Sequence, residues 1–360
     1  MTVDILHLAR KNIQKLEPYQ SARRIGGKGE VWLNANESPT PISFFSNIKS
    51  FNRYPEFQPK KLIQLYSKYV NISEDQILIT RGADEGIELL MKSFCEPGKD
   101  AIIYCPPTYD MYGINAKIFG IEIKEILMLK NSWKIDISNI ISNLDKVKLI
   151  YICNPNNPTG NLIHSKDLLI LLKATLGRAI LVIDEAYIEF SSKNSMVNFL
   201  KEYSNLIILR TLSKAFSLAG IRCGFVLASK EIINILHKVI SPYPISSLIA
   251  DIACQALHDN AILDMKNRVN QININRSYLV NELKKIIFIE KIFKSHANYI
   301  LVKLFHFEKV FWSLWHKGII LRNQNHKINL KRCLRISVGS DVECLRLINE
   351  LKRVSKKNIL

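Results

Sequence analysis

Leu206-Ile207-Ile208-Leu209-Arg210-Thr211-Leu212-Ser213-Lys214-Ala215-Phe216, followed by Ala219-Gly220-Ile221-Arg222-Cys223-Gly224, sets a lysine just beyond a strand-like apolar run and among small and apolar neighbours. Burial and a nearby cation such as Arg222 would both lower its pKa from the ordinary value of about 10.4, toward the free amine that attacks a carbonyl. Taken alone, Lys214 reads as a surface lysine at a loop tip. Its surroundings and the stretches upstream of it decide between the two.

The hydroxyls of Thr211 and Ser213 and the guanidinium of Arg222 can hold a phosphate dianion beside that amine. A lysine next to a phosphate cradle describes a site for pyridoxal phosphate. Upstream, strand and helix patterns alternate. The strands are Ile77 to Thr80, Ala101 to Tyr104, one at Ile121, Leu149 to Cys153 and Ile180 to Ile183, with helices from about Asp84 to Phe94 and near Tyr112. This order predicts a layered α/β domain with a mostly parallel sheet, whose ligands bind beyond the carboxyl ends of the strands. Asn154-Pro155-Asn156-Asn157-Pro158-Thr159-Gly160 follows one such strand and predicts a rigid loop. Asp184, behind four apolar residues, is placed to be desolvated and to need a cation, and Tyr187 lies three residues on. Thr80-Arg81-Gly82-Ala83-Asp84 sits where a strand gives way to a helix, and exposed amides at such a start bind phosphate oxygens.

These motifs, in this order, resemble the class II aminotransferases of pyridoxal-phosphate fold type I, over nearly the whole chain from Tyr19 to about Gly339. The resemblance implies a large domain with a mostly parallel sheet sandwiched by helices, plus a smaller α+β domain. The expected division is an N-terminal arm at 1–45, a cofactor domain at 46–244 and a small domain at 245–360. It also implies roles for single residues. Lys214 would carry the cofactor and shuttle the proton between the substrate carbon and the cofactor's C4′. Ala83 and Asp84, with Thr211, Ser213 and Arg222, would hold its phosphate. Tyr109 would stack on the ring, Asn157 and Tyr187 would reach its phenolic oxygen, and Asp184 would pair with its ring nitrogen. Tyr54, in Asn52-Arg53-Tyr54-Pro55, would reach the neighbouring subunit's cofactor, which implies a homodimer. Substrate would meet Tyr19, Asn34, Asn157, Arg322 and Arg335. Arg335 alternates with apolar neighbours in Cys333-Leu334-Arg335-Ile336-Ser337, so its side chain is expected to point off the buried face.

The wording Thr-Leu-Ser-Lys-Ala-Phe, Ala-Gly-x-Arg-Cys-Gly is similar to the branch whose substrate is histidinol phosphate, with glutamate and 2-oxoglutarate as the second pair. Aromatic or broad-range aminotransferases, and threonine-phosphate decarboxylases, would share every cofactor residue, and at this point stay open. The totals narrow the rest. The 360 residues carry a net charge of +18, but the basic residues are dispersed among acids, so no nucleic-acid partner is expected. No apolar run approaches the roughly 18 residues of a membrane span, and no secretory signal is read at the start, so the expectation is a cytoplasmic protein. The seven cysteines are scattered within apolar runs and read as small core residues in a reducing compartment. No metal-ligand spacing is present, so no metal site is expected. Two further helices are predicted: one near residues 3 to 16, from the spacing of Ile5, Leu8, Ile13 and Leu16, and one long stretch from about Ser247 to Lys285.

Overall fold

The computed structural model describes residues 8–46, 48, 51–130 and 132–356. Its strands, in chain order, are β1 (Val31–Leu33), β2 (Ile77–Thr80), β3 (Ala101–Tyr104), β4 (Glu122–Glu125), β5 (Val147–Cys153), β6 (Ile180–Asp184), β7 (Leu206–Thr211), β8 (Gly224–Leu227), β9 (Ile289–Ile292), β10 (Tyr299–Leu304), β11 (Ile319–Asn323) and β12 (Cys333–Ser337). They form two sheets. The larger has the order β2-β8-β7-β6-β5-β3-β4, and the smaller β1-β11-β12-β10-β9. In the larger sheet β3 to β7 are mutually parallel and β8 alone runs against its neighbours β2 and β7. Six carboxyl ends, those of β2 to β7, therefore open on one edge, and the site motifs leave from that edge.

The central strands read as unbroken apolar runs because both faces are covered. Leu149, Ile150 and Tyr151 of β5 and Leu181 to Ile183 of β6 are fully buried. The helix Gly82–Phe94 lies against β7 and β8, and its first turn carries Asp84 and Glu85, the charge a helix start favours. All seven cysteines are free and buried, the packing role expected of them.

A buried ionic network ties the ends of β6 and β7 together. Arg210 donates from Nε to Glu185 Oε2 at 2.8 Å and from Nη1 to Glu189 Oε1 at 3.1 Å. Ser195 Oγ accepts from Arg210 Nη2 at 2.9 Å, and Glu185 Oε1 accepts from the Met196 amide at 2.7 Å. Since Glu185 follows Asp184 and Arg210 precedes Thr211, the network fixes two ends of the candidate site.

Two helix expectations are corrected. The stretch after Ser247 is two helices, Ser247–Ala256 and Asp259–Leu283. Leu257 and His258 close the first with tightened turns to Cys254 and Gln255, and His258 is extended, so Asp259 opens a second helix with a favourable charge at its start. Among the described residues of the 3–16 stretch, α-helix covers Lys11–Gln14, and Leu8 is exposed; Ile5 lies outside the described residues. One turn is too short to hold itself. It is anchored instead by Arg10 and Asn12, which donate to carbonyls of residues 117 to 119.

Candidate active site

Between the carboxyl edge of the larger sheet and the smaller sheet lies a cavity of about 450 Å³. Fourteen of the sequence-derived residues line it: Tyr19, Asn34, Ala83, Asp84, Tyr109, Asn157, Asp184, Tyr187, Thr211, Ser213, Lys214, Arg222, Arg322 and Arg335. Tyr54 does not. It is 79% exposed and stacks on Tyr243 with ring centroids 4.3 Å apart. Within one chain it stays at the surface, away from the cavity.

Lys214 Nζ donates to the Ala35 carbonyl at 3.1 Å and lies over the Tyr187 ring. Its pKa is pushed down to about 8, first by burial and next by the Arg335 guanidinium, against the pull of Asp84 and Glu37. Arg222 acts in the same direction but more weakly, so the cation that matters most to Lys214 is Arg335 and not its sequence neighbour.

At one end of the cavity, Thr211 Oγ1 donates to Ser213 Oγ at 2.9 Å, and Arg222 Nη1 donates to the same Ser213 oxygen at 3.1 Å. Arg222 Nη2 reaches Asp84 Oδ2 at 3.2 Å, across the first turn of the helix Gly82–Phe94. Gly82 has φ +77°, and a Cβ there would sit 2.7 Å from Arg222 Nη2, so only glycine lets the guanidinium close on that helix start. Two hydroxyls, a guanidinium and the free amides of a helix start form a cradle for an anion.

Asp184 stands at the floor, 3% exposed. It accepts from Tyr112 OH at 2.7 Å and from the Ala186 amide at 3.0 Å, yet burial pushes its pKa up to about 6. No cation is bonded to it among the described residues, so a positively charged ligand nitrogen would relieve it. Tyr109 donates to Asp84 Oδ1 at 2.9 Å. Tyr187 OH accepts from Asn36 Nδ2 at 3.1 Å, and Asn157 Nδ2 lies 3.5 Å away.

At the opposite end, Arg335 donates from Nη1 to Asn157 Oδ1 at 2.7 Å and from Nη2 to the Asn34 carbonyl at 2.8 Å. It is 7% exposed, which corrects the expectation that it leaves the buried face: the side it reaches is covered by Asn34 and Asn157 from other segments, and not by water. Arg322, paired in register with Arg335, donates to the Gln20 carbonyl at 2.8 Å.

Residues that sequence reasoning passed over include Tyr112, the partner of Asp184, and Asn36, the partner of Tyr187. Asp110 and Lys327 also line the cavity as an ion pair at 2.6 Å. Asn36 stands two residues after Asn34 and could have been picked out there. Tyr112 and Lys327 carry no local signal, since their partners lie 72 and 217 residues away.

The arrangement can hold a flat ring with a cationic nitrogen at Asp184, an oxygen at Asn157 and Tyr187, and an anion at the helix start, with an aldehyde against Lys214. A second anion can meet Arg322 and Arg335.

Residues 26–351 match the family model for aminotransferase class I and II. A histidinol-phosphate aminotransferase of Buchnera aphidicola subsp. Schizaphis graminum is 70% identical over 352 residues, 98% of this chain and 99% of that one. The crystal structure of the histidinol-phosphate aminotransferase from Clostridium acetobutylicum matches with a TM-score of 0.83 at 30% identity, covering 91% of this chain and 99% of that one. That of the enzyme from Sinorhizobium meliloti, in complex with pyridoxal-5'-phosphate, has a TM-score of 0.82 at 21% identity, covering 96% and 97%, and shares the fold. The architecture is fold type I of the pyridoxal-phosphate-dependent enzymes, and the chain belongs to the class I and II aminotransferases.

Proposed function

We propose that this chain is a pyridoxal-phosphate-dependent transaminase that moves an amino group between histidinol phosphate and 2-oxoglutarate, giving imidazole-acetol phosphate and glutamate, in histidine biosynthesis. The observation that carries the reading is one cavity with a depressed lysine between two anion ends. The 70% identity to a histidinol-phosphate aminotransferase supports the choice of substrate over the aromatic and decarboxylase alternatives.

The residues present fit the cofactor: Asp184 is buried without a cation, and the Arg222 cradle is built around a glycine. Ala83 and Asp84, through the helix start, with Thr211, Ser213 and Arg222, would hold its phosphate. Tyr109 would cover its ring, and Asn157, Tyr187 and Asp184 would meet its edge. When bound, pyridoxal phosphate supplies an aldehyde for the substrate amine and a protonated ring that accepts the electron pair left when the Cα–H bond breaks. Lys214 Nζ, as the free amine, takes that proton. Tyr19, Asn34, Asn157, Arg322 and Arg335 orient the substrate, whose phosphate takes the place of an amino acid's carboxylate, so one arginine pair serves both substrates.

The reading includes a homodimer in which Tyr54 reaches the partner's site; its support is the exposure of Tyr54 and, earlier in the same stretch of chain, of Phe45 and Phe51. It also includes the cytoplasm as the compartment, supported by free, buried cysteines. Among the described residues no helix is long and apolar enough to cross a membrane. The division at residues 45 and 244 belongs to the same reading. It is supported by the confinement of the larger sheet to residues 77–227 and by the pairing of β1 with β11.

Two results are expected. Below about pH 8 the Lys214 amine is protonated in the folded protein, so capture of pyridoxal phosphate by the cofactor-free protein should slow about tenfold per pH unit on the acid side and level off above about 8. Stopped-flow absorbance would measure it, and a midpoint near the ordinary lysine value would contradict the assignment. Arg335→Lys replaces a planar fork by a point charge and should weaken binding of both substrates by about 1.5–3 kcal/mol. Unchanged Michaelis constants for both would make Arg335 structural.

A further inference from the structure

Four buried polar atoms around the substrate end of the cavity have no partner: Arg335 Nε, Arg322 Nη1, Asn34 Oδ1 and Gln324 Oε1. The first three belong to residues already assigned to substrate. Gln324 does not, although it is 2% exposed and lines the same cavity. Its position follows from strand geometry. Arg322 and Gln324 are two apart, so they leave the chain on one face, and Arg322 stands in register with Arg335 on β12. The Gln324 amide bonds to the Cys333 carbonyl at 3.0 Å, which extends that register by two residues. Gln324 therefore shares the face of both arginines, and among the described residues its buried Oε1 has no hydrogen-bond partner to hold the carboxamide elsewhere.

We infer that Gln324 is a specificity-determining residue, whose buried carboxamide binds the phosphate of a phosphate-bearing amine substrate and lets the site tell phosphate from carboxylate. The inference rests on the reading of this cavity as a site for such an amine. A carboxylate presents two oxygens, which the forks of Arg322 and Arg335 can saturate. A phosphate presents three acceptor oxygens, and the third needs another donor. A glutamine supplies an N–H group there without a third positive charge beside two guanidiniums. Rotation about its last side-chain bond turns either end of the amide to the ligand.

The test uses the cofactor-loaded protein and two probes, inorganic phosphate and the dicarboxylate maleate, as competitive inhibitors of the reaction with glutamate. Gln324→Met keeps the length and removes the amide; Gln324→Glu keeps the shape and adds a negative charge. In Gln324→Met the inhibition constant for phosphate, divided by that for maleate, should rise about tenfold or more, the effect of losing one hydrogen bond to a charged group. It should rise further in Gln324→Glu. General damage to the site would weaken both probes in parallel, so an unchanged ratio in both variants would overturn the inference. If one variant fails to fold, the ratio in the other decides. A wild-type protein that transaminates glutamate but ignores histidinol phosphate would sink the substrate reading, and the ratio would still decide the role of Gln324.

Discussion

Lys214→Ala should lower turnover by at least about 10³-fold while leaving the protein folded and able to bind pyridoxal phosphate non-covalently. The lysine side chain makes one hydrogen bond, to the Ala35 carbonyl, and its burial disfavours its own charge, so its removal costs the fold little. It cannot be replaced from within the site. Lys327 is the other lysine lining the cavity, and it is held by Asp110 Oδ1 at 2.6 Å and the Thr108 carbonyl at 2.8 Å. Single-turnover rates of the variant would be compared with its thermal unfolding. More than about a tenth of wild-type turnover in a folded variant would exclude Lys214 as the proton carrier.

Arg210→Ala should cost about 3–5 kcal/mol of folding stability, because it leaves Glu185 and Glu189 as uncompensated buried charges. Their side chains are 0% and 5% exposed, so water cannot replace the guanidinium without opening the sheet edge. Urea unfolding followed by circular dichroism would measure the loss. The same substitution should weaken cofactor binding, since Asp184 and Thr211 lie next to the network in the chain. A loss below about 1 kcal/mol would mean that the network is not what holds the ends of β6 and β7.

The larger sheet was legible because its central strands are apolar on both faces and end in loops with distinctive residues. Asp184 ends such a strand, and Asn157 and Lys214 each follow one by a few positions, so local order placed them at one edge. The smaller sheet was harder to read. The burial of Arg335 depends on Asn34 and Asn157, both distant in sequence, and alternation along one strand cannot tell a water-filled side from a covered one. The break between the helices Ser247–Ala256 and Asp259–Leu283 was missed because His258 differs from helical neighbours only in its backbone angles, with no proline or glycine to mark it. Gln324 and the Asp110–Lys327 pair gain meaning only when β11 and the turn after β3 meet across the cavity. Tyr54 is not brought to the cavity by its own chain, so the cofactor contact that the resemblance implies for it stands or falls with the proposed homodimer.

The central claim is best tested by titrating the pyridoxal-phosphate-loaded protein with histidinol phosphate in a single turnover, following the visible absorbance of the lysine-linked cofactor. The account predicts that the absorbance bleaches and is restored by 2-oxoglutarate. No response to histidinol phosphate, with bleaching by phenylalanine or tyrosine instead, would contradict it and move the chain to the aromatic aminotransferases.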